Sequence, residues 1–278
     1  MGHAARLYGL RRPRSIGLSR CRSRLPRSWP RPDRARTARL VAQAGSTQEA
    51  VIEEQARVIG SILPAGVAAA ELLRYPEDLK PHPGEEHLIA QSVEKRRRDF
   101  IGARHCARLA LAQLGEPPAA IGKGERGMPL FPRGVVGSLT HCDGYRAAVL
   151  AHRLRWRSVG IDAEPHDTLP EGVLDSVSLP AEREWLRGAI PATGLHLDRL
   201  LFCAKEATYK AWFPLTLRWL GFEDAHITFT LDESGTAGTF HSALLVPGQT
   251  VDGGAPLTSF DGRWTITDGL ILTAIVAG

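Results

Sequence analysis

The sequence predicts an α+β fold, and three observations carry the prediction. Helical and strand-like patterns are mixed along the chain rather than strictly alternating. The C-terminal part reads as antiparallel hairpins, the last closed by Asp268-Gly269, a favoured two-residue turn. One long segment, Leu197 to Pro214, spreads apolar residues around most of a helix and is expected to be buried.

Residues 1 to 45 hold 12 of the 35 basic residues, all Arg, and one of the 30 acidic ones, Asp33. The stretch is rich in Arg, Pro and Ser without periodicity, so disorder is expected. Three readings fit it: a basic arm for an acidic surface, a transit-type targeting segment, or a start codon set too far upstream. The last, or a dispensable tail, is favoured, with Val58 marking an alternative start. Without the tail the chain is net acidic, so the overall charge of +5 misleads.

Helical patterns are expected at 48–58 and 66–74, followed by a proline-rich polar loop over 74–86. Residues 85–115 keep helical spacing throughout and stop at Gly115. Lys95, Arg96, Arg97, Arg98, Arg104 and Arg108 make this helix basic. Arg96 and Arg104, two turns apart, are expected to align as a phosphate-binding face. Residues 121–134 form a Gly/Pro-rich loop with Lys123 and without P-loop spacing. Residues 135–151 read as two strands around a turn at Asp143-Gly144. His141, beside Ser138 and Thr140, stands just before that turn and could hold a phosphate.

A buried strand then ends in VGIDAEPH, residues 159–166. A polar segment leads to a helix starting at Ser178 or Pro180. In the helix over 197–214, Asp198 is expected to cap the start and Pro214 to end it. Strands near 225–231, 239–246, 262–267 and 270–276 complete the chain. No run of 18 apolar residues exists to span a membrane. The four cysteines show no CxxC spacing, which argues against a zinc site or disulfide framework and fits a reducing cytoplasm.

Two clusters carry chemistry. Side chains alternate along a strand, so Asp162 and Glu164 point the same way and repel unless a cation lies between them. Glu206 and Lys210, four apart, share a helix face. Three carboxylates of this kind, Asp162, Glu164 and Glu206, suit a hard divalent ion such as Mg²⁺, which takes oxygen ligands and keeps open positions for substrate phosphates.

Together, GMPLFPRGVVGSLTHC (127–142), VGIDAEPH (159–166), FCAKEATYK (202–210) and the basic helix near 95–108 resemble the Sfp/EntD-type 4′-phosphopantetheinyl transferases. The likeness is greatest to the actinobacterial enzymes serving polyketide, fatty-acid and siderophore synthases. It covers roughly residues 58–278; Phe202 departs from it, where many relatives have Trp. The resemblance implies two similar α/β halves, a pseudo-dimeric fold with the site between them, here divided as 46–157 and 158–278 after a tail of 1–45. It implies transfer of the phosphopantetheine arm of coenzyme A to a serine of an apo acyl or peptidyl carrier protein, releasing adenosine 3′,5′-bisphosphate. It makes Asp162, Glu164 and Glu206 the Mg²⁺ ligands, with Mn²⁺ as an alternative ion. Lys210 matches the catalytic lysine, and Arg96, Arg104, Lys123, His141 and Lys205 match coenzyme A phosphate contacts. Glu206 is the candidate base, directly or through a metal-held water. A cytoplasmic monomer with no membrane or nucleic-acid partner is expected.

Two other readings remain open from the residues alone. A nucleic-acid binder acting through the Arg-rich arm predicts steep salt dependence. A Mg²⁺-dependent phosphohydrolase predicts water as the acceptor.

Overall fold

The computed structural model describes residues 57–278, and the sequence expectations for 1–45 and for most of the helix at 48–58 lie outside that range. After one helical turn, α1 (Arg57–Gly60), comes β1 (Ala68–Leu72), then the long helix α2 (Glu94–Gln113). A two-residue ribbon, β2 (Gly122–Lys123) and β3 (Pro129–Leu130), precedes the hairpin β4 (Val135–Cys142) and β5 (Tyr145–His152). The second half runs β6 (Ser158–Pro165), α3 (Val173–Val177), α4 (Pro180–Thr193) and α5 (Leu197–Thr216). It closes with β7 (Ala225–Leu231), β8 (Ala237–Gly248), β9 (Leu257–Thr267) and β10 (Leu270–Ala277). Helices and sheets mix as α+β predicts.

One sheet has strand order β1-β5-β4 and the other β6-β10-β9-β8-β7, and every pairing is antiparallel. Helix α2 packs on the first sheet through Cys106, Ala107, Ala110 and Leu111. Helix α5 packs on the second through Leu200, Leu201, Ala204 and Ala207. The facing sides of the two sheets share a third apolar cluster, with Val149 and Ala151 against Ile161, Ala163 and Leu272. The sheets meet along β4 and β6 through side chains. Ser138 Oγ accepts the Ile161 N–H at 3.2 Å, and Thr140 Oγ1 accepts the Ala163 N–H at 3.1 Å. Among the described residues, no helix is long and apolar enough to cross a membrane, and Cys106, Cys142 and Cys203 are free thiols.

The predicted turns at Asp143-Gly144 and Asp268-Gly269 both form. Asp268 and Gly269 lie at φ 51° and 73°, the left-handed geometry such a hairpin turn needs. Gly160 of β6 is needed for another reason: a Cβ there would stand 2.1 Å from Ala207 O, so α5 lies directly on the strand.

Four local expectations are corrected. Residues 68–72 are a strand, not part of a helix at 66–74. Ala68, Ala70 and Leu72 face α2 while Ala69 faces the other sheet, so both faces are covered and no polar stripe betrays the period of two. Glu71, also buried, accepts the Val58 and Ile59 N–H groups at 2.8 and 3.1 Å and the Tyr145 hydroxyl at 2.5 Å. The basic helix starts at Glu94 rather than near 85, after a short 3-10 turn at Glu86–Leu88. Helix α5 passes through Pro214 to Thr216 and is ended by Leu217 at φ 52°; a proline in the last turn removes one N–H without blocking the rest. Its N-cap is His196, because Asp198 instead accepts the Leu169 N–H at 2.9 Å.

Candidate active site

Along β6, Ser158, Gly160, Asp162 and Glu164 fall on the face turned to α5. Ser158 Oγ donates to Ala211 O at 2.7 Å, and Asp162 meets Lys210. Asp162 Oδ1 accepts from Lys210 Nζ at 2.7 Å and from Thr140 Oγ1 at 3.0 Å. Its second oxygen, Oδ2, is buried without a hydrogen-bond partner. A buried carboxylate oxygen left bare is costly, and it marks where an electropositive group fits. Lys210 Nζ also donates to Ile161 O at 3.1 Å. Burial works against its charge, but Asp162 and Glu206 outweigh that and raise its pKa above 10.5. The ammonium is therefore fixed between two acids from different elements.

Glu164, two residues on, is held by Arg199 of α5, whose Nη1 donates to Oε2 at 2.9 Å. Burial, followed by the negative charge of Asp162, nonetheless pushes Glu164 up to about 7. The sign of the linked stability follows. Between about 4.5 and 7 the folded form keeps a proton that the unfolded chain has lost, so metal-free stability falls as pH rises through that window. Glu164→Gln should flatten this decline in melting temperature measured from pH 4.5 to 7.5; an unchanged slope would place the titration elsewhere.

Half-exposed His141 lies at the end of β4, and the charges acting on it are Asp99, Lys210, Asp162 and Arg146. It thus joins the same locale. Beneath it, Asp99 of α2 accepts from Arg146 Nε at 3.1 Å and Nη2 at 2.5 Å, and stands 3.9 Å from His141 Nε2. Glu206 is buried on α5, within the field that acts on Lys210. Arg96 and Lys123 are exposed.

Two expectations meet a different geometry. Arg104 does not align with Arg96, because eight residues turn a helix about 80° past two full turns. Arg104 is buried and spends Nε on Ile121 O at 2.9 Å and Nη2 on Gly122 O at 3.4 Å. Lys205 is buried and its three donors are taken, by Phe222 O and Ala225 O, both at 2.7 Å, and by Glu182 Oε2 at 2.9 Å. Ser138 and Thr140, beside His141, use their hydroxyls to join β4 to β6, as above.

The residues suit a divalent metal in part. Asp162 and Glu164 offer hard oxygen donors on one face, one of them bare, in a setting that disfavours two adjacent negative charges. Among the described residues, however, no three His, Cys, Asp or Glu side chains are gathered closely enough to hold an ion. Lys210 and Arg199 stand against the two strand acids instead. Arg199, which sequence reasoning missed, is the residue that meets Glu164. The signal was present, since residues 199 and 206 are seven apart and 206 and 210 four apart, one polar stripe on an apolar helix.

A carboxylate pair, a lysine and a histidine thus gather at the seam of the two sheets. Residues 84–151 match the family model described as the 4′-phosphopantetheinyl transferase N-terminal domain, and residues 158–252 match that of the 4′-phosphopantetheinyl transferase superfamily. The chain belongs to the 4′-phosphopantetheinyl transferase family and is a transferase. It is 78% identical over 222 residues to the 4′-phosphopantetheinyl transferase Npt of Nocardia iowensis, covering 78% of this chain and 99% of that protein. It is 61% identical over 223 residues to the 4′-phosphopantetheinyl transferase PptT of Mycobacterium tuberculosis, covering 79% and 97%. With the 4′-phosphopantetheinyl transferase Svp of Streptomyces mobaraensis it shares 50% identity over 194 residues, covering 69% and 77%.

Proposed function

We propose that this protein moves the 4′-phosphopantetheine group of coenzyme A onto a serine of apo acyl or peptidyl carrier proteins and releases adenosine 3′,5′-bisphosphate. The observation that carries the proposed site is the bare Oδ2 of Asp162 beside Lys210, at the seam where β4, β6 and α5 meet. Asp162, Glu164 and Glu206 would hold Mg²⁺, or Mn²⁺ in its place. Bound there, the ion would supply positive charge against the diphosphate.

The chain's own groups do the rest. Glu206 takes the proton of the acceptor serine, whose oxygen then attacks the phosphorus next to the pantetheine. That phosphorus forms one P–O bond and loses the bridging one, whose electron pair leaves with the bisphosphate. Lys210, held beside Asp162, neutralises charge on the transferring phosphoryl group, where positioning and electrostatics dominate. Arg96, Lys123 and His141 meet the remaining phosphates of coenzyme A.

The connectivity supports the pseudo-dimeric reading. In each half a strand, then a long helix, precedes a hairpin whose last strand pairs with the first: β1, α2, β4 and β5, then β6, α5, β9 and β10. The halves divide at 157/158, and the enzyme acts as a cytoplasmic monomer, a compartment in keeping with its free thiols. Mass spectrometry of an apo carrier protein incubated with enzyme, coenzyme A and Mg²⁺ should show the added arm. Hydrolysed coenzyme A with unmodified carrier would instead identify a phosphohydrolase.

Carrier docking draws on the segment after α5. Trp212 and Phe213 are core, but Leu217 and Trp219 are exposed, and Arg218 beside them donates to Pro247 O at 2.7 Å. Arg218→Glu should raise KM for an acidic carrier several-fold and spare coenzyme A. Unchanged carrier kinetics would remove this face from the docking surface.

A further inference from the structure

The ribbon that carries Lys123 is gripped at its root by buried charges. Its two strands pair Gly122 with Leu130 and Lys123 with Pro129, and the Gly124 N–H donates to Met128 O at 2.8 Å, too little backbone pairing to hold a shape alone. The support comes from outside. Glu85 Oε1 accepts the Ile121 N–H at 2.8 Å and Arg108 Nη1 at 2.7 Å. Arg104 donates to the Ile121 and Gly122 carbonyls. Three consecutive peptide groups are therefore held in series: an acid that is 0% exposed takes the N–H of the first, and a guanidinium buried on α2 takes the carbonyls of the next two. Such burial is costly and persists only where partners are well placed. Glu85 meets that condition through one oxygen alone, because Oε2 has no partner.

Beyond the clamp, the ribbon reaches the second half. Arg126, at φ 51°, stacks over the Trp219 ring at 5.2 Å. Lys123 lies between these two anchor points. A Cβ on Gly127 would stand 3.5 Å from Lys123 Cε, so the lysine stem runs across that glycine.

We infer that Glu85 is a positioning residue for coenzyme A binding: it fixes the Ile121 N–H at the ribbon root and thereby aims the Lys123 ammonium at a substrate phosphate. The inference rests on the proposed role of Lys123. Without the Glu85 charge, Arg108 loses its partner and the Ile121 N–H its strongest acceptor, and the ribbon root shifts relative to α2. Arg104 holds the next two peptides through their carbonyls, which explains why a basic residue of this helix is buried rather than turned to solvent.

The test is a double-mutant cycle on the full-length enzyme, with KM for coenzyme A and for an apo carrier measured separately. Lys123→Ala and Glu85→Gln should each raise KM for coenzyme A about tenfold and leave the carrier KM in place. The double variant should be no worse than Lys123→Ala, because Glu85 acts through that lysine. A general loss of structure would instead lower activity toward both substrates and add to the effect of Lys123→Ala. If Glu85→Gln folds poorly, Arg104→Lys, which shortens the reach to the same carbonyls, should show the same non-additivity. Multiplying effects, or a normal Glu85→Gln beside an impaired Lys123→Ala, would overturn the role of Glu85 alone. A normal Lys123→Ala would overturn the phosphate role of Lys123 and this inference with it.

Discussion

Asp162→Asn should lower kcat/KM for phosphopantetheine transfer by on the order of 10²–10³-fold, the scale of removing one preorganised charge from a transition state. The fold should hold. Asparagine keeps an oxygen for Thr140 Oγ1 and Lys210 Nζ, which sit at 3.0 and 2.7 Å from Asp162 Oδ1. The amide also removes the mutual repulsion between positions 162 and 164. Melting temperature should therefore change little while turnover collapses. Steady-state transfer to an apo carrier protein, alongside a thermal melt, reads both quantities. Near-normal turnover would take Asp162 out of the chemistry, and a large loss of stability would make it a structural acid.

Lys205→Met should do the reverse. Lys205 and Glu182 are each 1% exposed, and Glu182 also accepts the Leu179 and Ile227 N–H groups, both at 2.7 Å. The pair thus ties α5 to α4 and to the start of β7. Removing one member strands a buried charge, at a cost of about 3–5 kcal/mol. For a domain of this size that corresponds to roughly 6–20 °C in melting temperature. Removing both charges, as in Lys205→Met with Glu182→Gln, should recover part of the loss, because no charge is then left unmatched and the amide keeps an oxygen for one of the two N–H groups. Affinity for coenzyme A, measured well below the melting temperature, should stay near that of the parent. A variant that melts normally but fails to bind coenzyme A would return Lys205 to the substrate site.

These two acid–lysine pairs show how far the sequence could be read. Spacing alone put Asp162 and Glu164 on one side of a strand and Glu206 and Lys210 on one side of a helix, and the backbone obeys both. It did not say which lysine would face which acid. Lys210 turned to Asp162 across the seam, while Lys205, one residue before Glu206, turned the other way. Arg104 was misjudged for a related reason. A basic residue on a basic helix looks solvent-facing until the loop at 121–122 comes to rest on it.

What the sequence determined by itself is local. The period of side chains along β6 and α5, the glycine and aspartate turns that close the hairpins, and the family to which those motifs point all follow from neighbours within a few residues. The tertiary structure alone decided that 68–72 is a strand, that Arg199 answers Glu164, and that Glu85 and Arg104 hold the Lys123 ribbon. Each of those outcomes depends on which surface covers a segment, and the covering surface is supplied by residues far away in the chain, where local periodicity carries no information.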